Sequence, residues 1–131
     1  MKLTAFILAL SGLLLLTACS ATLDDGQTLR NSVVSFHEAL RWHDADKATV
    51  LVEPKEREAF YKAMKGRLDK EKIISYEVRD VSIKESEARV LVDIKSYAQN
   101  SLVVNTRTEV QAWIEDSGAW YFVESRLAAD S

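Results

Sequence analysis

The chain has 131 residues, 47% of them hydrophobic and 28% charged, with 17 basic residues against 20 acidic ones. That length holds one domain with a sizeable core and scarcely two. A formal charge of −3 without any long basic run argues against nucleic acid as a partner, since that demands clustered Lys and Arg, and a single cysteine excludes a disulfide framework.

The N-terminus reads first. Lys2 gives a positive head, Ala5 to Leu16 form an apolar stretch interrupted only by Ser11 and Gly12, and small residues follow. This is the order of a secretory signal peptide, and the stretch is shorter than the roughly 20 apolar residues of a membrane span. The only cysteine, Cys19, comes directly after it. Leu16-Thr17-Ala18-Cys19 resembles the lipobox of bacterial lipoproteins, a large aliphatic residue, two small ones and then cysteine. The resemblance implies a signal peptide over 1–18, cleavage between Ala18 and Cys19, a diacylglycerol thioether on Cys19, and acylation of the new amino group. Each buried methylene contributes about 0.8 kcal/mol, so two or more chains hold a protein firmly to the bilayer. In enterobacterial lipoproteins an aspartate after the cysteine favours retention in the inner membrane. Ser20 stands here instead, so the resemblance points to the outer membrane, facing the periplasm.

Processing would leave 113 residues with 16 basic and 20 acidic side chains, a formal charge of −4. We divide them into a tether over 19–27, a single domain over 28–126 and a tail over 127–131. A first helix starts near Asp25 or Thr28 and runs to about Trp42, because Leu29, Val33, Phe36 and Leu40 make one stripe that Val34 and His37 widen. Asp44 or Asp46 caps a short second helix with Ala48, Val50 and Leu51 inward. Pro54 suits the first turn of a third helix carrying Phe60, Tyr61, Met64 and Leu68 inward.

The period then changes to two. Ile74, Tyr76 and Val78 alternate, and Val81 and Ile83 resume out of phase, which predicts a bulge near Arg79-Asp80. Ala88, Val90, Val92 and Ile94 give a second strand. The third spans about Leu102 to Ile114, with Val104, Thr106, Thr108, Val110, Ala112 and Ile114 on one face. Gly118 in "EDSGA" signals a hairpin into a fourth strand over Trp120 to Glu124. With Glu115 opposite Ala119, Ile114 would pair with Trp120, and Trp113 and Tyr121 would share the other face. Helices followed by an antiparallel meander indicate an α+β fold, N-terminal helices packed on a curved four-stranded sheet.

Two segments carry a second resemblance. "SVVSFHEALRWHDADKATVLVEP" and "VQAWIEDSGAWYFVES" are similar to the opening helices and closing hairpin of the nuclear transport factor two-like (cystatin-like) superfamily. That implies a cone-like sheet with helices closing one side around a pocket. The superfamily includes enzymes, small-ligand binders and protein-binding or dimerising modules, so the fold selects none of these.

The chemistry is sparse. His43 with Asp44 and Asp46 could serve as base or ligand, but a capping loop explains them, and His37 sits on the helical stripe. No second histidine or cysteine stands at ligand spacing, so we expect no metal and no cofactor. Tyr61, Tyr76, Thr106 and Thr108 are candidates to line the cone. Trp42, Trp113 and Tyr121 are candidates for an exposed aromatic partner surface, and Trp42 could equally plug the end of the cone. Asp93 and Arg107 fall on the solvent side of their strands. We therefore expect a non-catalytic, lipid-anchored binding or structural module of the cell envelope. Its partners would be the bilayer through Cys19 and either a protein partner or a second copy of the chain, the latter through the outer sheet face, where Leu91 and Val103 leave apolar residues. The alternative is a small-ligand binder or polyketide-cyclase-like enzyme using the cone.

Overall fold

A computed structural model describes residues 24–129. Ala18 and Cys19, with the whole signal and lipobox segment, lie outside the described residues. Helix α1 (Asp25–Arg41) begins where Asp24 accepts a hydrogen bond from the Gln27 amide at 2.7 Å, so 25–27, expected as tether, are helical. Its end is a Schellman motif: His43 sits at φ 59°, its N–H bonds to the Leu40 carbonyl, and the Asp44 N–H bonds to the Ala39 carbonyl. Asp44 then caps α2 (Ala45–Thr49) through the Lys47 amide. The run His43-Asp44 is a helix stop followed at once by a helix start.

Past α2 the chain runs along the sheet edge. Val52, rather than the expected Val50, is buried, while Val50 is exposed beyond the end of the helix. The Phe122 amide bonds to the Leu51 carbonyl and the Glu53 amide to the Phe122 carbonyl. Arg57 donates to the carbonyls of Val50 and Val52, both at 3.0 Å, and holds this segment in place. Pro54–Glu56 make one tight 3₁₀ turn into α3 (Arg57–Leu68), which sets Phe60, Met64 and Leu68 against the core.

Strands β1 (Glu71–Lys84), β2 (Glu87–Ala98), β3 (Asn105–Asp116) and β4 (Ala119–Leu127) form an antiparallel meander in that order. The β1–β2 register shifts between Val78 and Asp80, at the predicted bulge, and also between Ile73 and Ser75. The second shift turns Ile73 inward and leaves Ile74 exposed. From β2, Ala88, Val90, Val92, Ile94 and Ser96 are buried beneath the helices.

The β3–β4 hairpin corrects the sequence reading. Ser117 and Gly118 both have positive φ (53° and 83°), and Asp116 pairs with Ala119, so the connection has two residues and the expected register is one residue off. One step reverses the faces of a strand. Trp113 pairs with Phe122 and is 0% exposed, so it belongs to the core and cannot contribute to a partner surface. The inward face of β3 is Glu109, Gln111 and Trp113, and the Thr106 to Ile114 face lies outside. Alternation misled because the outer face of β3 is the more apolar one.

Candidate functional site

The concave side of the sheet is where a pocket would lie, and it is filled. Phe36 of α1 stacks on Phe122 with ring centroids 4.7 Å apart and meets Trp113 edge-on at 5.5 Å. Phe60 closes against Phe122 at 5.6 Å. The space left between Phe36, Met64, Ile94, Phe122 and Arg107 is about 40 Å³. That suits roughly one water, whereas small-molecule sites run to about 300–1,000 Å³.

Two polar clusters are built into this interior. The first is a relay. Trp113 Nε1 donates to Gln111 Oε1 at 3.1 Å, and Gln111 Nε2 lies 2.9 Å from His37 Nε2. An indole can only donate, so Trp113 fixes the Gln111 amide with its oxygen toward itself. The amide NH₂ therefore donates to His37 Nε2, and the imidazole carries its proton on Nδ1. Burial holds the His37 pKa down at about 4, and Tyr76 stacks on the ring at 5.1 Å. Trp120, by contrast, buries its Nε1 without a hydrogen-bond partner.

The second cluster plugs the cone's mouth. Arg107 donates to Glu109 at 2.7 Å, to Ser96 at 3.1 Å, and to Glu71. Arg67 donates to Glu71 at 3.0 Å and lies 3.4 Å from Glu109, whose other oxygen accepts from Ser125 at 2.7 Å. Two guanidinium groups and two carboxylates cancel in charge. Burial raises the pKa of Glu71, but hydrogen bonds from Ser96, Arg107 and Arg67 outweigh it and bring the carboxyl to about 2. Glu109 is also held below the usual carboxylate range despite burial, by Arg107 and Ser125. The expectation that Arg107 faces solvent is corrected: it points inward, because Glu109 and Glu71 are there to receive it. Asp93 is outward as expected, accepting from Thr108 and pairing with Arg79.

The predicted pocket residues are not brought together. Tyr76 reaches the interior margin, where its hydroxyl donates to Glu38 at 2.9 Å, and burial with that bond raises its pKa to about 12. Tyr61 lies under the Lys65 ammonium at 5.6 Å on α3. Thr106 is exposed and Thr108 is turned to Asp93 on the outer face. Of the predicted partner surface, Trp42 is 73% exposed and Tyr121 is half-buried. Sequence reasoning missed Glu71, Glu109 and Gln111. Their signal was the polar alternation Arg107, Glu109, Gln111 leading into Trp113, which reads as a solvent face unless the tryptophan is assigned to the core. Among the described residues no three His, Cys, Asp or Glu side chains gather as metal ligands.

Trp42 stands at the rim of a separate groove of about 940 Å³ with Arg41, Lys72, Ile74, Tyr97 and Gln99. Its indole donates to Glu38 at 3.1 Å, and the Arg41 guanidinium lies 5.7 Å from its ring. The same Glu38 takes the Tyr76 hydroxyl and faces Arg41 at 3.6 Å. Those hydrogen bonds, from Tyr76 first and Trp42 second, lower its pKa.

No family model matches the chain, and no curated protein does. Solved structures do. A SEC-C motif containing protein from Rhodopseudomonas palustris superposes with a TM-score of 0.67 at 18% identity, over 75% of this chain and 77% of that one. A protein of unknown function with a cystatin-like fold from Nostoc punctiforme gives 0.65 at 11% identity, over 81% and 91%. An NTF2-like protein from Cytophaga hutchinsonii gives 0.64 at 16% identity, over 82% and 100%. The fold is NTF2-like, or cystatin-like, α+β. At these identities the likeness shows the fold alone.

Proposed function

We propose that the chain is a lipid-anchored, non-catalytic binding module of the bacterial envelope, held by acylated Cys19 to the periplasmic face of the outer membrane. The observation that carries the non-catalytic reading is the packed interior. Where the fold has room for a ligand, this chain sets an aromatic stack and a charge-neutral plug whose members bond to one another. A small-ligand binder or cyclase-like enzyme would need that space. The anchor rests on the lipobox alone. With α1 starting at Asp25, the chain from Cys19 to Asp24 reaches at most roughly 17 Å at about 3.4 Å per residue, which would hold the domain close to its membrane.

The test has two arms. Cys19→Ala should abolish lipid labelling and release the protein from the membrane fraction; unchanged processing and retention would remove the anchor. An experimental structure of the purified domain should also show the cone closed by Phe36, Phe60, Phe122 and Arg107, and an enclosed cavity of about 300 Å³ or more there, or a bound molecule inside it, would reopen the cone as a ligand site.

A further inference from the structure

We propose that the Trp42 groove is a docking site for a partner protein, and that it takes a segment in which apolar side chains alternate with carboxylates. This deepens the binding-module reading by naming the partner's chemistry.

Three observations converge. First, Trp42 is exposed yet pinned. Its indole N–H bonds to Glu38, a carboxylate already fixed by Tyr76 and Arg41. The Schellman stop at His43 fixes the backbone immediately after it. A large aromatic plate held in one orientation has little freedom left to lose on binding, which is where affinity is gained. Second, the groove combines Trp42, Tyr97 and Arg41, the three residue types that dominate binding hot spots. Third, its charged lining is basic: Arg41 and Lys72, with no Asp or Glu among the lining residues. Arg41 has one partner, Glu38, and Lys72 has no ion pair among the described residues.

Outside the groove lining, the connection from β2 to β3 carries further exposed apolar side chains. Leu102 is 98% exposed, and Val103 and Val104 are also exposed. Three consecutive aliphatic residues in water are not explained by the fold, since none packs on the core. A second copy of this chain is the poorer occupant. A two-fold contact through this patch would bring Arg41 and Lys72 against themselves, and like charges facing each other oppose association.

The two other tryptophans are buried, so Trp42 dominates accessible indole emission and reports on its own groove. The experiment is a selection of random peptides displayed on phage against the full chain in detergent micelles. Recovered peptides should be enriched in Asp and Glu adjacent to Leu, Phe or Trp, and a synthetic copy should blue-shift Trp42 emission and shield it from iodide. Trp42→Phe identifies the reporter, and Trp42→Ala and Lys72→Glu should each weaken binding by roughly tenfold or more. Recovery of basic peptides, or of peptides indifferent to both substitutions, overturns the proposal. So does Trp42 quenching by phosphatidylglycerol vesicles or by glycan strands in place of peptide. Because the selection uses purified chain, its failure leaves the anchor untouched, and a failed anchor leaves the selection untouched.

Discussion

Glu109 and Glu38 do opposite work with the same chemistry. Glu109, 7% exposed, draws Arg107 inward, accepts from Ser125 and closes the end of the cone. Glu38, on the helix surface, draws Tyr76, Arg41 and Trp42 together and leaves the indole in water. A carboxylate surrounded by donors thus seals one region and presents a side chain in the other, and the difference lies in how far the site is cut off from solvent. Buried, the pairing is high-stakes, because removing one partner strands a charge. Exposed, it is worth little to stability.

That contrast can be broken by experiment. Arg107→Ala should be the largest effect, on the order of 3 kcal/mol or more by urea denaturation, since Glu109 stays buried with only the more distant Arg67 and the Ser125 hydroxyl to compensate it. Removing both partners as Arg107→Met with Glu109→Leu should cost markedly less. A double variant as unstable as the single one would show that the plug matters for shape, not for charge.

Acid titration comes next. His37 is held at about 4 in the folded chain against 6.5 unfolded. The unfolded chain therefore takes up the proton first, and stability present at pH 7 is lost as pH falls from 6.5 towards 4. At about 1.4 kcal/mol per unit, that is on the order of 3 kcal/mol. His37→Phe should flatten this part of the pH profile. Glu71, held at about 2, adds a second loss as pH falls below 4.5. An unchanged slope in His37→Phe would remove the relay from the explanation.

Smaller still is a matched pair of changes, each removing the same indole volume from a buried site. Trp113→Phe deprives Gln111 of its donor and should cost about 1–3 kcal/mol, whereas Trp120→Phe deletes a donor that has no partner and should cost less. Equal costs would mean that packing alone governs both sites. The smallest effect is a gain. His43→Gly relieves a left-handed residue at the end of α1 and should stabilise by about 1 kcal/mol, seen as a higher midpoint.

Much of the architecture was legible. The stripe of Leu29, Val33, Phe36 and Leu40 is buried as the spacing requires, and the phase break after Val78 is a real register shift. The site was less legible. Periodicity reports hydrophobic contrast, and in β3 the contrast runs backwards: Arg107 and Glu109 go inside because they satisfy each other and Glu71, and Gln111 because it bridges Trp113 and His37. Partners such as Arg67 and Glu109, 42 residues apart, leave no local signature. Trp113 was misplaced through a single-residue slip at a two-residue turn. Trp42, which nothing in the helical stripe claimed, is exposed.

The segment 51–53 that lies along β4, stapled by Arg57, has a bearing on crowding. Where Phe122 would offer bare amide and carbonyl groups to a neighbour, the chain has already spent them on itself. At the opposite margin, two irregularities bend β1 away from a flat ribbon. Under the proposed anchor, molecules concentrated in two dimensions on a lipid leaflet would meet often, and backbone zippering between exposed strand edges is a route to insoluble aggregates. With these margins blunted, encounters are left to side chains, which can be selective and reversible.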